Sequence, residues 1–94
     1  MRFDKAAFKH GRKQEDIEFV YRSHLTQWFP HGTSVKGNER AMLVGFDQTG
    51  NLMEVALELI SNEAGDDEEY FYHAMTATLY WRKQYATTTP RRKK

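Results

Sequence analysis

Apolar and polar positions in the first part of the chain follow a helical period. In the segment 13–22, Ile17, Val20 and Tyr21 recur on one helix face, while acidic side chains face away. This pattern predicts a helix. A shorter helix is predicted over 4–10, because an aspartate at its start can act as an N-cap and a glycine follows its last residue.

Beyond residue 22 the apolar residues alternate, which is typical of β-strands. The sequence DQTGN between two apolar runs predicts a hairpin in which Gly50 takes the left-handed position. Along one of these runs alternate apolar residues share a face, and Glu54 and Glu58 share the other face. The sheet should therefore have one buried side and one wet or partly covered side. Strands are predicted at 24–29, 39–46, 52–60 and 70–75, with loops at 31–38 and 61–69.

A last helix is predicted over 77–85, since its aromatic residues cluster on one side, and the basic segment 86–94 is expected to be a disordered tail. The predicted order is α-α-β-β-β-β-α. We therefore expect an α+β fold with a four-stranded antiparallel meander sheet, two N-terminal helices and one C-terminal helix. All of these elements belong to a single domain over 1–85.

Composition supports one ordinary globular domain. The 94 residues are 39% hydrophobic and 29% charged, values far from those of disordered chains. No apolar run reaches the roughly 20 residues of a membrane span, and no signal peptide is indicated. The chain has no cysteine, which fits a reducing compartment, so we expect a cytoplasmic protein.

The charges are distributed unevenly. Residues 73–94 carry six basic residues and no acidic residue, whereas the middle of the chain is acidic. Basic ends around an acidic middle favour two different partner surfaces, although the basic tail can also be merely solvated. Nucleic acid is one candidate partner. Its phosphates would be contacted by Lys83, Arg91 and Arg92, and its bases would stack on Trp28.

The strand and helix over 70–85 form the stretch where chemistry is most plausible. A strand that leads directly into a helix would bring His73, Arg82 and Tyr85 into one neighbourhood. The alternative is structural, since His73 can be a half-buried strand residue and Trp81 a core residue. The four histidines lack paired spacing, so no metal site and no cofactor are predicted.

Short motifs in a fixed order add a family resemblance. They span about residues 3–85 and resemble the BrnT family of bacterial type II toxins, small ribonucleases whose fold is similar to that of the RelE toxins. The motifs are Phe3-Asp4 with Lys9-His10-Gly11, Asp16-Ile17-Glu18 to Tyr21, Glu39-Arg40 with Leu43-Val44-Gly45 and Gly50, and Ala74, Ala77-Thr78, Arg82 and Tyr85.

The resemblance implies a partner and a reaction. Such toxins are held inactive by an antitoxin encoded alongside, usually one that binds DNA, and they cleave RNA when free. Cleavage at the 2′-hydroxyl needs a base, an acid and cations. By resemblance, Arg40 and Arg82 would hold phosphate, Glu39 would be a base or an ion-pair partner, and His10 or Tyr85 would move protons.

The chain departs from the family pattern near its end. Met75 stands where the family has arginine, Trp81 where it has glutamate, and His73 where it has serine. One interpretation is that His73 replaces the lost arginine as the catalytic group of a metal-independent endoribonuclease. Another is a non-catalytic binding module that acts through protein or nucleic-acid contacts. A third is a structural domain that forms a homodimer through an exposed sheet edge.

Overall fold

A computed structural model describes residues 1–88 of the protein. In this part of the chain two α-helices and five strands occur. The elements are β1 (Arg2–Phe3), a 3₁₀ turn (Lys5–Phe8), α1 (Gln14–Arg22), β2 (Gln27–Thr33), β3 (Glu39–Phe46), β4 (Leu52–Ser61), β5 (Asp67–Thr76) and α2 (Leu79–Thr88). The predicted tail contacts of Arg91 and Arg92 lie outside the described residues.

The sheet is mixed and has five strands in the order β1-β5-β4-β3-β2. The predicted four-stranded antiparallel meander is therefore wrong. The strand that was not predicted is β1, which pairs in parallel with β5. Arg2 lies opposite Tyr70, and Phe3 lies opposite Phe71. Two residues are too few to show an alternating pattern, so only the backbone pairing with β5 defines this strand.

The prediction of two N-terminal helices is also wrong. Asp4 does act as a cap, because its carboxylate accepts the Ala6 N–H at 2.9 Å, but the segment it starts is a four-residue 3₁₀ turn. The backbone N–H of Asp4 donates to the Phe71 carbonyl at 2.8 Å, so the chain is still attached to the sheet at this point. The remaining residues are too few for a stable helix before Gly11 redirects the chain with a φ of 82°.

Each face of the sheet packs against one helix. On the α1 face, Ile17 and Val20 of α1 pack onto Leu43, Val55 and Phe71, and all five side chains are fully buried. On the α2 face a second core forms from five buried residues, with Trp81 and Tyr85 of α2 packed against it. These five are Met42, Val44, Leu52, Ala56 and Ala77. The side expected to be wet or partly covered is thus partly covered by α2.

The predicted hairpin is confirmed, since β3 pairs antiparallel with β4 across the turn that follows Phe46. Asp47 closes this turn by accepting the N–H groups of Thr49 and Asn51, both at 2.9 Å. Gly50 takes the left-handed conformation with a φ of 88°, as the turn requires. The hairpin is therefore encoded locally, and it supplies two of the three interior strands of the sheet.

No helix in residues 1–88 is long and apolar enough to cross a membrane.

Candidate active-site groove

A β-bulge in β5 determines which side chains reach the α2 face. Ala56 of β4 pairs with His73, but the next residue, Leu57, pairs with Phe71, so Tyr72 is an extra residue in the ladder. As a result, Tyr72 and His73 both lie on the α2 face, whereas strict alternation would place them on opposite faces. Bulges are frequent beside active sites, where they redirect a side chain.

A buried carboxylate lies next to the histidine that the bulge presents. Glu54 of β4 is only 4% exposed, and its Oε2 lies 2.8 Å from Nε2 of His73. The other carboxylate oxygen accepts the N–H of Thr78 at 2.7 Å, directly before α2 begins. Glu54 therefore connects the histidine of β5 to the first turn of the helix that covers this face.

An open groove of about 370 Å³ surrounds this pair. Its volume lies within the range of about 300 to 1,000 Å³ that is usual for small-ligand sites. The floor is apolar and aromatic, and the rim carries cationic or titratable groups. The lining residues are Ala6, Lys9, His31, Met42, Glu54, Ala56, Tyr72, His73 and Trp81.

Besides β5 with His73, two further segments bring basic groups to the groove. Lys9, which follows the 3₁₀ turn, lines it, and the ring centroid of the next residue, His10, lies 5.8 Å from that of His73. From the other side β2 contributes His31, whose ring centroid is 5.7 Å from that of Trp81. The groove thus combines a pair of neighbouring imidazoles with a lysine and an aromatic wall, a set of groups that suits an anionic ligand with a ring.

Arg40 reaches this region through an aromatic contact. Its guanidinium carbon lies 5.0 Å from the ring centroid of Tyr72, which lines the groove. The charge of Arg40 is partly balanced, because its Nε lies 3.5 Å from Glu58. A hydrogen bond from Asn38 at 2.8 Å, together with Arg40, lowers the pKa of Glu58. Burial raises the pKa of Tyr72 above the ordinary phenol value.

The predicted residues of α2 are directed elsewhere. The guanidinium Nε of Arg82 donates to the carbonyl of Ala77 at 3.0 Å, and the hydroxyl of Tyr85 donates to the carbonyl of Leu25 at 2.9 Å. Lys83 is exposed on the helix surface. None of the three is among the residues that line the groove. The structure therefore does not assemble the predicted neighbourhood of His73, Arg82 and Tyr85 around one cavity.

Two further predicted residues lie away from the groove. Glu39 is exposed at the start of β3. Trp28 is 47% exposed, and its ring centroid lies 5.8 Å from that of Tyr21, which packs against the core of the α1 face. Of the predicted catalytic residues, the structure brings His73 and His10 together. Arg40 contacts the ring of Tyr72, a groove residue, but does not itself line the groove.

Sequence reasoning missed three residues of the groove, namely Lys9, His31 and Glu54. A usable signal existed for Glu54, because an acidic residue inside a strongly apolar run needs a partner wherever it is buried. The residues around His31 read as a loop, although β2 continues through them to Thr33. Nothing in the linear pattern indicated that Lys9 and His31 would face the same cavity.

Within residues 1–88, no group of three or more His, Asp or Glu side chains is arranged to hold a metal ion. The chain matches no model of a known protein family. A comparison with curated proteins gives no significant match either. The resemblance to BrnT-like toxins therefore stays a hypothesis that rests on the motifs described above.

Proposed function

We propose that this protein is the toxin of a bacterial type II toxin–antitoxin system, a cytoplasmic metal-independent endoribonuclease that a protein antitoxin neutralises. The observation that carries the proposal is a pair of neighbouring imidazoles at the groove: His73 lines the cavity, and the ring centroid of the exposed His10 lies 5.8 Å from that of His73. Two neighbouring imidazoles suit a reaction that needs one base and one acid near neutral pH. The motif resemblance supplies the family context.

The proposed reaction assigns a role to each group. His73 removes the proton of the 2′-hydroxyl, and His10 protonates the departing 5′-oxygen. Lys9 and Arg40 stabilise the charge that develops on the phosphate. Trp81, which also contacts Phe29 at a centroid distance of 5.4 Å, offers a face for a nucleobase.

Cleavage of RNA by purified variants tests the proposal. His73→Ala should lower the cleavage rate by about 10² to 10⁴-fold, the range for loss of a general acid or base. His24→Ala is the matched control, because His24 is exposed and does not line the groove. We expect this control to cleave at the wild-type rate. Intact RNA after incubation with wild-type protein, or full activity in His73→Ala, would contradict the proposal.

A second candidate function is a non-catalytic binding module that retains the surface for an antitoxin or another partner. It is favoured because two expected phosphate ligands already have partners within the protein: Arg40 pairs with Glu58, and Arg82 donates to the carbonyl of Ala77, just before α2. It is also favoured by apolar exposure on α2, where Leu79 is 67% exposed and Tyr80 is 61% exposed. Growth arrest on expression that His73→Ala abolishes would count against this candidate.

The proposed antitoxin gives a separate test that needs no enzyme assay. Type II antitoxins are encoded beside their toxins, so a short neighbouring reading frame with a DNA-binding helix pattern is expected. Co-expression of its product with this chain should yield a complex and restore growth. If the two products neither associate nor interact in growth assays, the antitoxin part of the proposal is wrong.

A further inference from the structure

We infer that Glu54 is a positioning residue that holds His73 in the tautomer with its proton on Nε2, which leaves Nδ1 as the nitrogen that accepts a proton. The proton-accepting role rests on the proposed ribonuclease function. The tautomer does not rest on that function, because it is inferred from the contacts between two side chains and one backbone N–H group.

The contacts define the hydrogen-bond directions. One oxygen of Glu54 accepts the N–H of Thr78 at 2.7 Å, and the other lies 2.8 Å from Nε2 of His73. In the arrangement that we infer, Glu54 is a carboxylate that accepts both hydrogen bonds, and Nε2 of His73 is the donor. The side chain of Glu54 is 6% exposed, so little water competes for its carboxylate, while the side chain of His73 is 26% exposed.

The other ring nitrogen is then available to a substrate. Within residues 1–88 the ring of His73 makes no second hydrogen bond, and the residue lines the groove. In the proposed reaction, Nδ1 takes the 2′-hydroxyl proton while the 2′-oxygen bonds to phosphorus. The bond from phosphorus to the 5′-oxygen breaks, and a proton from His10 goes to that oxygen. The products are a 2′,3′-cyclic phosphate and a 5′-hydroxyl.

Replacement of the carboxylate by an amide should reverse the tautomer. A glutamine has one oxygen, and the backbone N–H of Thr78 requires it as an acceptor. The amide NH₂ of Glu54→Gln would then face Nε2 of His73 and would favour the ring form that accepts at Nε2 and carries its proton on Nδ1. In serine proteases the equivalent change of the triad aspartate fixes the wrong tautomer and costs about 10⁴-fold in kcat.

Nitrogen NMR of the imidazole ring measures the tautomer without any substrate. We expect the signals of His73 in wild-type protein to show a protonated Nε2 and a bare Nδ1, and we expect Glu54→Gln to exchange these two states. Glu58→Gln is the matched control, because Glu58 is a second buried glutamate on the same strand and face and contacts Asn38 and Arg40. It should leave the His73 signals unchanged. A bare Nε2 in wild-type protein would overturn the inference.

Kinetics separate positioning from folding. If wild-type protein cleaves RNA, Glu54→Gln should lower kcat by about 10² to 10⁴-fold, with KM nearly unchanged, because the groove that binds RNA stays intact. An unchanged kcat in Glu54→Gln, together with loss of cleavage in His73→Ala, would overturn the positioning role. Absence of cleavage by wild-type protein would refute the proposed function alone, since the NMR measurement still decides the tautomer.

Discussion

Replacement of Asp47 by asparagine should destabilise the fold through the loss of one buried charge. Asp47 is 5% exposed in the β3–β4 turn, and its carboxylate also forms an ion pair with Arg12. An amide oxygen can support the same turn, because Asn62 accepts the N–H groups of Ala64 and Asp66 in the next hairpin at 2.9 and 3.1 Å. Asp47→Asn therefore removes the charge while keeping the turn.

The pKa of Asp47 sets the magnitude. Burial alone would raise this pKa, but hydrogen bonds from Asn51, Thr49 and Arg12 outweigh burial and lower it from 3.8 to about 2. A shift of this size corresponds to about 2 kcal/mol of stability at neutral pH. Because the folded state lowers the pKa, the contribution is complete above the unfolded value of about 4. It is lost as the pH falls through the folded value of about 2.

Urea denaturation followed by tryptophan fluorescence measures this effect. At neutral pH the free energy of unfolding of Asp47→Asn should be about 2 kcal/mol below that of wild type. The difference should shrink as the pH is lowered from about 4 towards 2, because protonation removes the same charge from wild-type protein.

The matched control is Asp66→Asn, which changes an exposed aspartate in the neighbouring turn. It should alter stability by at most about 0.5 kcal/mol. Equal stability of Asp47→Asn and wild type at neutral pH would refute the argument, and so would a difference that stays constant through the acidic range.

Two further predictions concern packing and titration. Gly45→Ala should lower the free energy of unfolding by about 1 to 3 kcal/mol in thermal or urea denaturation. The new Cβ would overlap the buried hydroxyl of Thr26, which donates to the Val20 carbonyl at 2.6 Å; unchanged stability would mean that this contact relaxes freely. In an NMR pH titration, Tyr21 should deprotonate above the ordinary phenol pKa of 10, because its hydroxyl donates to Glu69 and is partly buried. Glu69→Gln should move the midpoint downwards, and a midpoint that does not move would show that another group raises the pKa.

Local patterns were sufficient for the elements whose stabilising contacts are close in sequence. The helix predicted over 13–22 is confirmed as α1 (Gln14–Arg22). Its apolar spacing and its acidic first turn both lie within nine consecutive residues, so the local sequence is enough to predict it. The hairpin is confirmed for the same reason, because Asp47 and Gly50 impose the turn directly.

Elements that depend on distant partners were placed less well. β5 begins at Asp67 rather than 70, because Ser61 pairs with Asp67 and the ladder extends through acidic residues that read as a loop. The turn between β4 and β5 covers only five residues, 62–66, and is closed by a hydrogen bond from the Asn62 N–H to the Asp66 carbonyl. Composition suggested a long acidic loop, whereas backbone pairing with β4 decided where the strand starts.

The candidate site was the least predictable part. By itself the sequence indicated that His73 and His10 are groups capable of proton transfer, and it indicated that one sheet face would carry Glu54. Tertiary structure decided that His73 lies beside both Glu54 and His10, because one extra residue in β5, Tyr72, turns His73 onto the α2 face. Such a bulge is set by the register between two strands, and register depends on long-range pairing that no local period encodes.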